Sequence, residues 1–226
     1  MLRLLPLLLA LGAGFIAWHV STRRTLRELN ARSSPLHDVA LLGVCARLAA
    51  ALGVPQVVVR IYEVPAVNGL AAADGQVFLT RGFYEAYRSG TVSAEEITAV
   101  VAHELGHVAL GHARRRMLDF TAQNALRAAL AAVVGRLVPG LGPWLAGLAA
   151  QALSARLSRE DEYEADAWAA ALLAKAGLGP APLLSLLGKL GAWGGGGQGP
   201  AWLMSHPASR DRIAAVERLT SGWGRG

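Results

Sequence analysis

The stretch His103-Glu104-Leu105-Gly106-His107 sets two imidazoles four residues apart with a carboxylate between them. On a helix, residues four apart share a face, so both imidazoles can grip one metal ion. Glu104, one step round, can bring its carboxylate to a water on that metal. Two ligands and a base in this pattern point to zinc-dependent peptide hydrolysis. Catalytic zinc sites take three protein ligands and keep a fourth position for water or substrate. The rest of the chain must therefore supply one more ligand.

Candidates lie in the acidic run Glu160-Asp161-Glu162-Tyr163-Glu164-Ala165-Asp166. Glu162 and Asp166 are four apart and share a helix face, so one could bind the metal while the other fixes a histidine. His112 is the rival. A longer motif with a third histidine needs glycine at 110 and histidine at 113, where this chain has Leu110 and Ala113. A continuous helix would also turn His112 away from the face of His103 and His107.

Several motifs in order make the pattern more specific. His103-Glu104-Leu105-Gly106-His107-Val108 with Gly111-His112 is followed by Ser158-Arg159, by Glu162 to Asp166, and by Ser205-His206-Pro207 with Arg212-Ile213. From about Asn68 to Ile213 the chain resembles the HtpX-like membrane metalloproteases, gluzincins related to the CaaX prenyl proteases. The resemblance implies one zinc ion held by His103, His107 and Glu162, with Asp166 as partner of a ligand histidine. It implies Glu104 as general base. His206 and Arg212 would lie near the site, holding substrate or the oxyanion, with His206 as the oxyanion donor. Asn68 would match an asparagine beside the cleft, although glycine follows it here where the family more often has alanine. HtpX-type members carry several membrane spans; one is clear in this chain, so a shorter relative is expected.

The expected activity is a zinc endopeptidase acting on extended or misfolded polypeptides, in protein quality control. An extended substrate could add a strand to a sheet edge before the motif helix. Two other readings compete. Ordinary core histidines beside a buried glutamate would be costly without partners. A non-catalytic scaffold would need the ligands but not the base, and Glu104 is present.

The elements that must position these residues read as an α+β fold, mostly helical, a zincin-like domain with a small antiparallel sheet. Residues 35–52 show helical apolar spacing and stop at Gly53-Val54-Pro55. Residues 56–62 read as a strand, 68–73 as an irregular extended piece, and 76–80 as a strand after the Asp74-Gly75 turn. Residues 81–88 suggest a short helix. Ser93-Ala94-Glu95-Glu96 is a capping-box pattern that opens the motif helix. Further helices are expected to about residue 176 through the acidic run, over 181–190, and over 208–219, with a flexible glycine-rich loop at 194–199.

The chain has 226 residues, 53% of them hydrophobic, and a formal net charge of +6. That length suits one domain with a sizeable core plus a membrane segment. A single cysteine, Cys45, excludes an intrachain disulfide and a cysteine zinc site. No basic stripe interleaved with aromatics supports nucleic-acid binding. From Leu4 to Val20 there is no acid, lysine or arginine, a run of 17 residues at the lower limit for a bilayer span. The expected layout is an anchor at 1–20 (alternatively a signal segment), a basic juxtamembrane linker at 21–34, and a metallopeptidase domain at 35–226. Arg23, Arg24, Arg27 and Arg32 follow the run and favour a single-pass membrane protein with a cytoplasmic domain. A cleaved signal would instead give an exported or periplasmic soluble protease. A second apolar stretch at 128–155, broken by Pro139 to Pro143, reads as two core or lid helices in preference to a membrane-dipping hairpin.

Overall fold

The computed structural model describes residues 19–116, 142–194, 200–207 and 210–223. The first arm of the apolar stretch at 128–155, most of the anchor at 1–20 and most of the glycine-rich loop lie outside the described residues. Among the described residues, no helix is long and apolar enough to cross a membrane.

Residues 19–31 form α1, and the arginines expected in a linker (Arg23, Arg24, Arg27 and Arg32) are exposed on it or just beyond. Where that stretch ends, Ser33–Pro35 forms an edge strand, β1. Helix α2 (Val39–Leu52) starts at Asp38, whose side chain accepts the Leu41 N–H. Strands β2 (Val59–Tyr62), β3 (Gly69–Ala71) and β4 (Val77–Thr80) complete a four-stranded sheet in the order β1-β2-β4-β3.

The sheet is mixed, which corrects the antiparallel expectation. β1 and β2 are antiparallel, as are β3 and β4, but β2 and β4 run parallel in the register Val59↔Val77 to Tyr62↔Thr80. After β2 the chain crosses to the far edge, and the Asp74-Gly75 turn folds β3 back onto β4 from outside. A turn dipeptide signals that hairpin but says nothing of which strand β4 meets on its other side.

Helix α3 (Arg81–Arg88) leads into α4 (Ala94–Ala109), which opens on the expected capping box. Ser93 Oγ accepts the Glu96 N–H at 3.2 Å, and Glu96 Oε2 accepts the Ser93 N–H at 2.8 Å. From Glu96 to Gly106 every residue of α4 is buried, so this is the central helix of the domain. It packs against α6 (Gly142–Lys175), α2, α7 (Ala181–Gly194) and strands β3 and β4. Residues 112–116 are helical (α5) and precede α6, which is one unbroken helix through the acidic run. Helices α8 (Trp202–Ser205) and α9 (Arg210–Thr220) close the fold, with α9 lying on α6 and α7.

Candidate metal centre

Close approach of α4 and α6 builds the site. A Cβ on Gly106 would lie 3.1 Å from the Ala165 carbonyl oxygen and 3.3 Å from Ala165 Cα and the Trp168 ring. Glycine at this motif position lets the two backbones meet. Glu162, three residues before Ala165 on α6, then faces His103 and His107 one turn apart on α4.

Four donor atoms converge there: Nε2 of His103, Nε2 of His107, a carboxylate oxygen of Glu162 and Nδ1 of His206, all within 4.8 Å of one another. The two Nε2 atoms are 3.1 Å apart. Glu162 Oε2 lies 3.4 Å from His103 Nε2, and Oε1 lies 3.4 Å from His107 Nε2. His206 Nδ1 is 3.3 Å from His103 Nε2 and 3.0 Å from both Glu162 oxygens. A tetrahedral zinc ion with bonds of about 2.0–2.1 Å requires donor separations of about 3.3–3.4 Å. The Nδ1 atoms of His103 and His107 each have a partner outside the cluster, so both Nε2 lone pairs can point at one shared cation. The donor set fits zinc.

Charge around the cluster is balanced by buried pairs. His103 is fully buried, and its Nδ1 lies 2.9 Å from Asp166 Oδ1, a short but oblique approach. Burial disfavours the imidazolium of His103, but Asp166 and Glu162 outweigh it and hold the pKa up at about 9. Burial, together with the charge of His103, leaves His107 below its ordinary value despite Glu162. Burial would raise Glu162, yet hydrogen bonds from His103, His107 and His206 hold its carboxyl far below the usual range. Asp166 is likewise held ionised against burial by Arg212 and His103.

Arg212, on α9, grips Asp166 with two bonds, Nε to Oδ2 at 2.6 Å and Nη2 to Oδ1 at 2.7 Å. Its Nη1 lies 3.2 Å from Glu162 Oε2 and donates to the Pro207 carbonyl at 3.0 Å. Arg212 therefore braces the two carboxylates from behind, only 3% exposed, and does not line the cleft that Glu104, His107 and His206 share.

Glu104 Oε1 lies 3.4 Å from His206 Nε2. Its other partner comes from a segment 98 residues away in sequence, which spacing within the motif does not reveal. The fully buried Trp202 donates its indole N–H to Glu104 Oε1 at 3.0 Å and stacks on His206 with centroids 4.9 Å apart. A tryptophan four residues before the His-Pro pair was the available signal.

Asn68 stands at the entry to β3 and not in the donor cluster. Its side-chain oxygen accepts the Gly69 N–H at 2.9 Å, and its backbone pairs with Thr80. Leu70, Ala71 and Ala73, just beyond Asn68, line the cleft with Glu104 and His107, as do Arg114 and Arg116. Cys45 is buried in the core, which pushes its thiol pKa up to about 11.

Residues 35–220 match the sequence profile of peptidase family M48. The metalloprotease LoiP of Escherichia coli is 33% identical over 166 residues, covering 73% of this chain and 63% of LoiP. The metalloprotease YcaL of the same organism is 33% identical over 164 residues, covering 72% of this chain and 62% of YcaL. A protease HtpX homolog of Bordetella avium is 31% identical over 215 residues, covering 79% of this chain and 70% of that protein. The chain thus spans a little under two thirds of LoiP and YcaL.

Proposed function

The chain belongs to peptidase family M48, and from that premise we propose that it is a zinc-dependent endopeptidase that hydrolyses peptide bonds in extended or misfolded polypeptides. The single observation that carries this reading is the convergence of His103, His107 and Glu162 beside a buried glutamate at a cleft. His103, His107 and Glu162 would hold one zinc ion. Zinc supplies Lewis-acid chemistry, polarising a carbonyl oxygen and making water acidic enough to attack near neutral pH.

Glu104 is assigned as general base. Its two observed contacts fall on Oε1, so Oε2 is the atom to take a proton from water and pass it to the leaving amine. Trp202 holds that carboxylate in place. His206 shares the cleft with Glu104 and is assigned as the donor to the developing oxyanion. It is carried by the short segment 202–207 and not by the packed α4–α6 pair. Asp166 orients His103, and Arg212 fixes Asp166 and Glu162.

Edge strand β3 supports the substrate class, because its Leu70 and Ala71 border the cleft and a strand at the end of a sheet can pair with an extended peptide. Asn68 would set the start of that strand. The domain is assigned to residues 35–226, tethered to a membrane by residues 1–20 with the domain on the cytoplasmic side, and its role to protein quality control. The apolar run and the exposed arginines after it support the tether and its orientation. The test is cleavage of an unfolded protein substrate by Glu104→Gln. That variant should lose at least about 10³-fold in kcat, a proton-transfer contribution compounded with loss of the base's charge, while keeping its zinc. Cleavage at the parent rate would exclude the mechanism.

A further inference from the structure

The contact between His107 and His112 is the feature near the site that the proposed chemistry leaves unused. A continuous helix would carry His112 away from the motif face. Here α4 ends at Ala109, and Gly111 takes φ 68°, a left-handed turn that favours glycine. His112, the first residue of α5, comes back over His107 and is 1% exposed. The two Nδ1 atoms are 2.7 Å apart, with the rings at 72°. On its far side, His112 Nε2 lies 3.1 Å from Glu164 Oε2 and 3.8 Å from Asp161 Oδ1.

Two ring nitrogens at that separation need one N–H and one lone pair. If His107 gives Nε2 to zinc, which rests on the function proposed above, its proton sits on Nδ1 and His107 is the donor. His112 Nδ1 is then the acceptor, its own proton sits on Nε2, and Glu164 accepts it. The direction of the chain is fixed at both ends, by a cation at one and a carboxylate at the other.

We propose that His112 is the positioning residue for His107, fixing its tautomer and ring orientation as a zinc ligand, with Glu164 as its anchor. His112, Asp161 and Glu164 also gather at metal-ligand spacing. Two guanidiniums answer that alternative. Arg115 Nη1 lies 2.7 Å from Glu164 Oε2 and 3.4 Å from Asp161 Oδ1, and Arg116 Nε lies 2.8 Å from Asp161 Oδ2. The carboxylates are already neutralised where a second cation would sit. The two ligand histidines are thus oriented differently: His103 by the buried carboxylate of Asp166, His107 through an intervening imidazole.

Imidazole ¹⁵N spectra of the zinc-loaded full chain test the proton positions directly and need no variant. The expected result is a proton on Nδ1 of His107 and on Nε2 of His112; a proton on Nδ1 of His112 overturns the proposal. Zinc dissociation constants from chelator competition supply the second arm. His112→Leu should bind zinc about 10- to 100-fold more weakly. His112→Asn, whose amide oxygen can replace Nδ1 as acceptor, should recover most of that loss. Unchanged affinity in His112→Leu, or His112→Asn as weak as His112→Leu, refutes the role of His112. A parent chain that takes up no zinc refutes the ligand assignment itself, which is a separate outcome.

Discussion

Trp202 shows how a packing residue can hold a reacting group. Its N–H to Glu104 Oε1 is a buried hydrogen bond to an ionised acceptor, a class worth about 1.5–3 kcal/mol. Trp202→Phe keeps the stacking face and removes only the donor. The expected result is a kcat at least about tenfold lower, since each 1.4 kcal/mol is a factor of ten, with zinc content unchanged; an unaltered kcat would show that Glu104 needs no such support. At this scale the helical spacing of His103, Glu104 and His107 was readable because periodicity alone places them on one face. Glu162 and Asp166 were readable as a pair, though spacing alone did not assign which of them approaches the metal. The contacts of Trp202 and His112 were not readable, because one depends on how a distant segment returns and the other on a helix break at Gly111.

Among the elements, α4 is locked to its neighbours at its start. The buried carboxylate of Glu96 accepts from Lys189 Nζ at 2.8 Å and from Ser185 Oγ at 2.5 Å, tying α4 to α7. Burial opposes the charge of Glu96, but those bonds and the Ser93 N–H outweigh it and lower its pKa below the ordinary 4.5. A lowered carboxylate pKa means the stabilisation is complete above about pH 4.5 and is lost as pH falls through the folded-state value. Glu96→Gln should therefore cost about 1–3 kcal/mol at neutral pH. The gap in melting temperature to the parent chain should close as the pH is lowered beneath 4.5. A gap that is constant with pH would contradict this. The capping box announced the start of α4 in the sequence, because cap chemistry is local. The tie to α7 and the parallel β2–β4 pairing were not legible, since both join segments by long-range topology.

For the whole molecule, the order of motifs along the chain carried more than any one of them, because only folding makes His103, Glu162 and His206 neighbours. The assigned membrane tether belongs to this scale. The full chain should sediment with membranes and keep Met1 to Leu9 at its amino terminus; recovery in the soluble fraction with that stretch removed would favour the exported reading. In the proposed site His103, His107 and Glu162 together hold a zinc ion and Glu104 does not. Metal analysis of the purified parent chain beside Glu162→Ala and Glu104→Gln tests it most directly. One zinc per chain is expected in the parent and in Glu104→Gln, with zinc lost from Glu162→Ala. Full zinc in Glu162→Ala would contradict it.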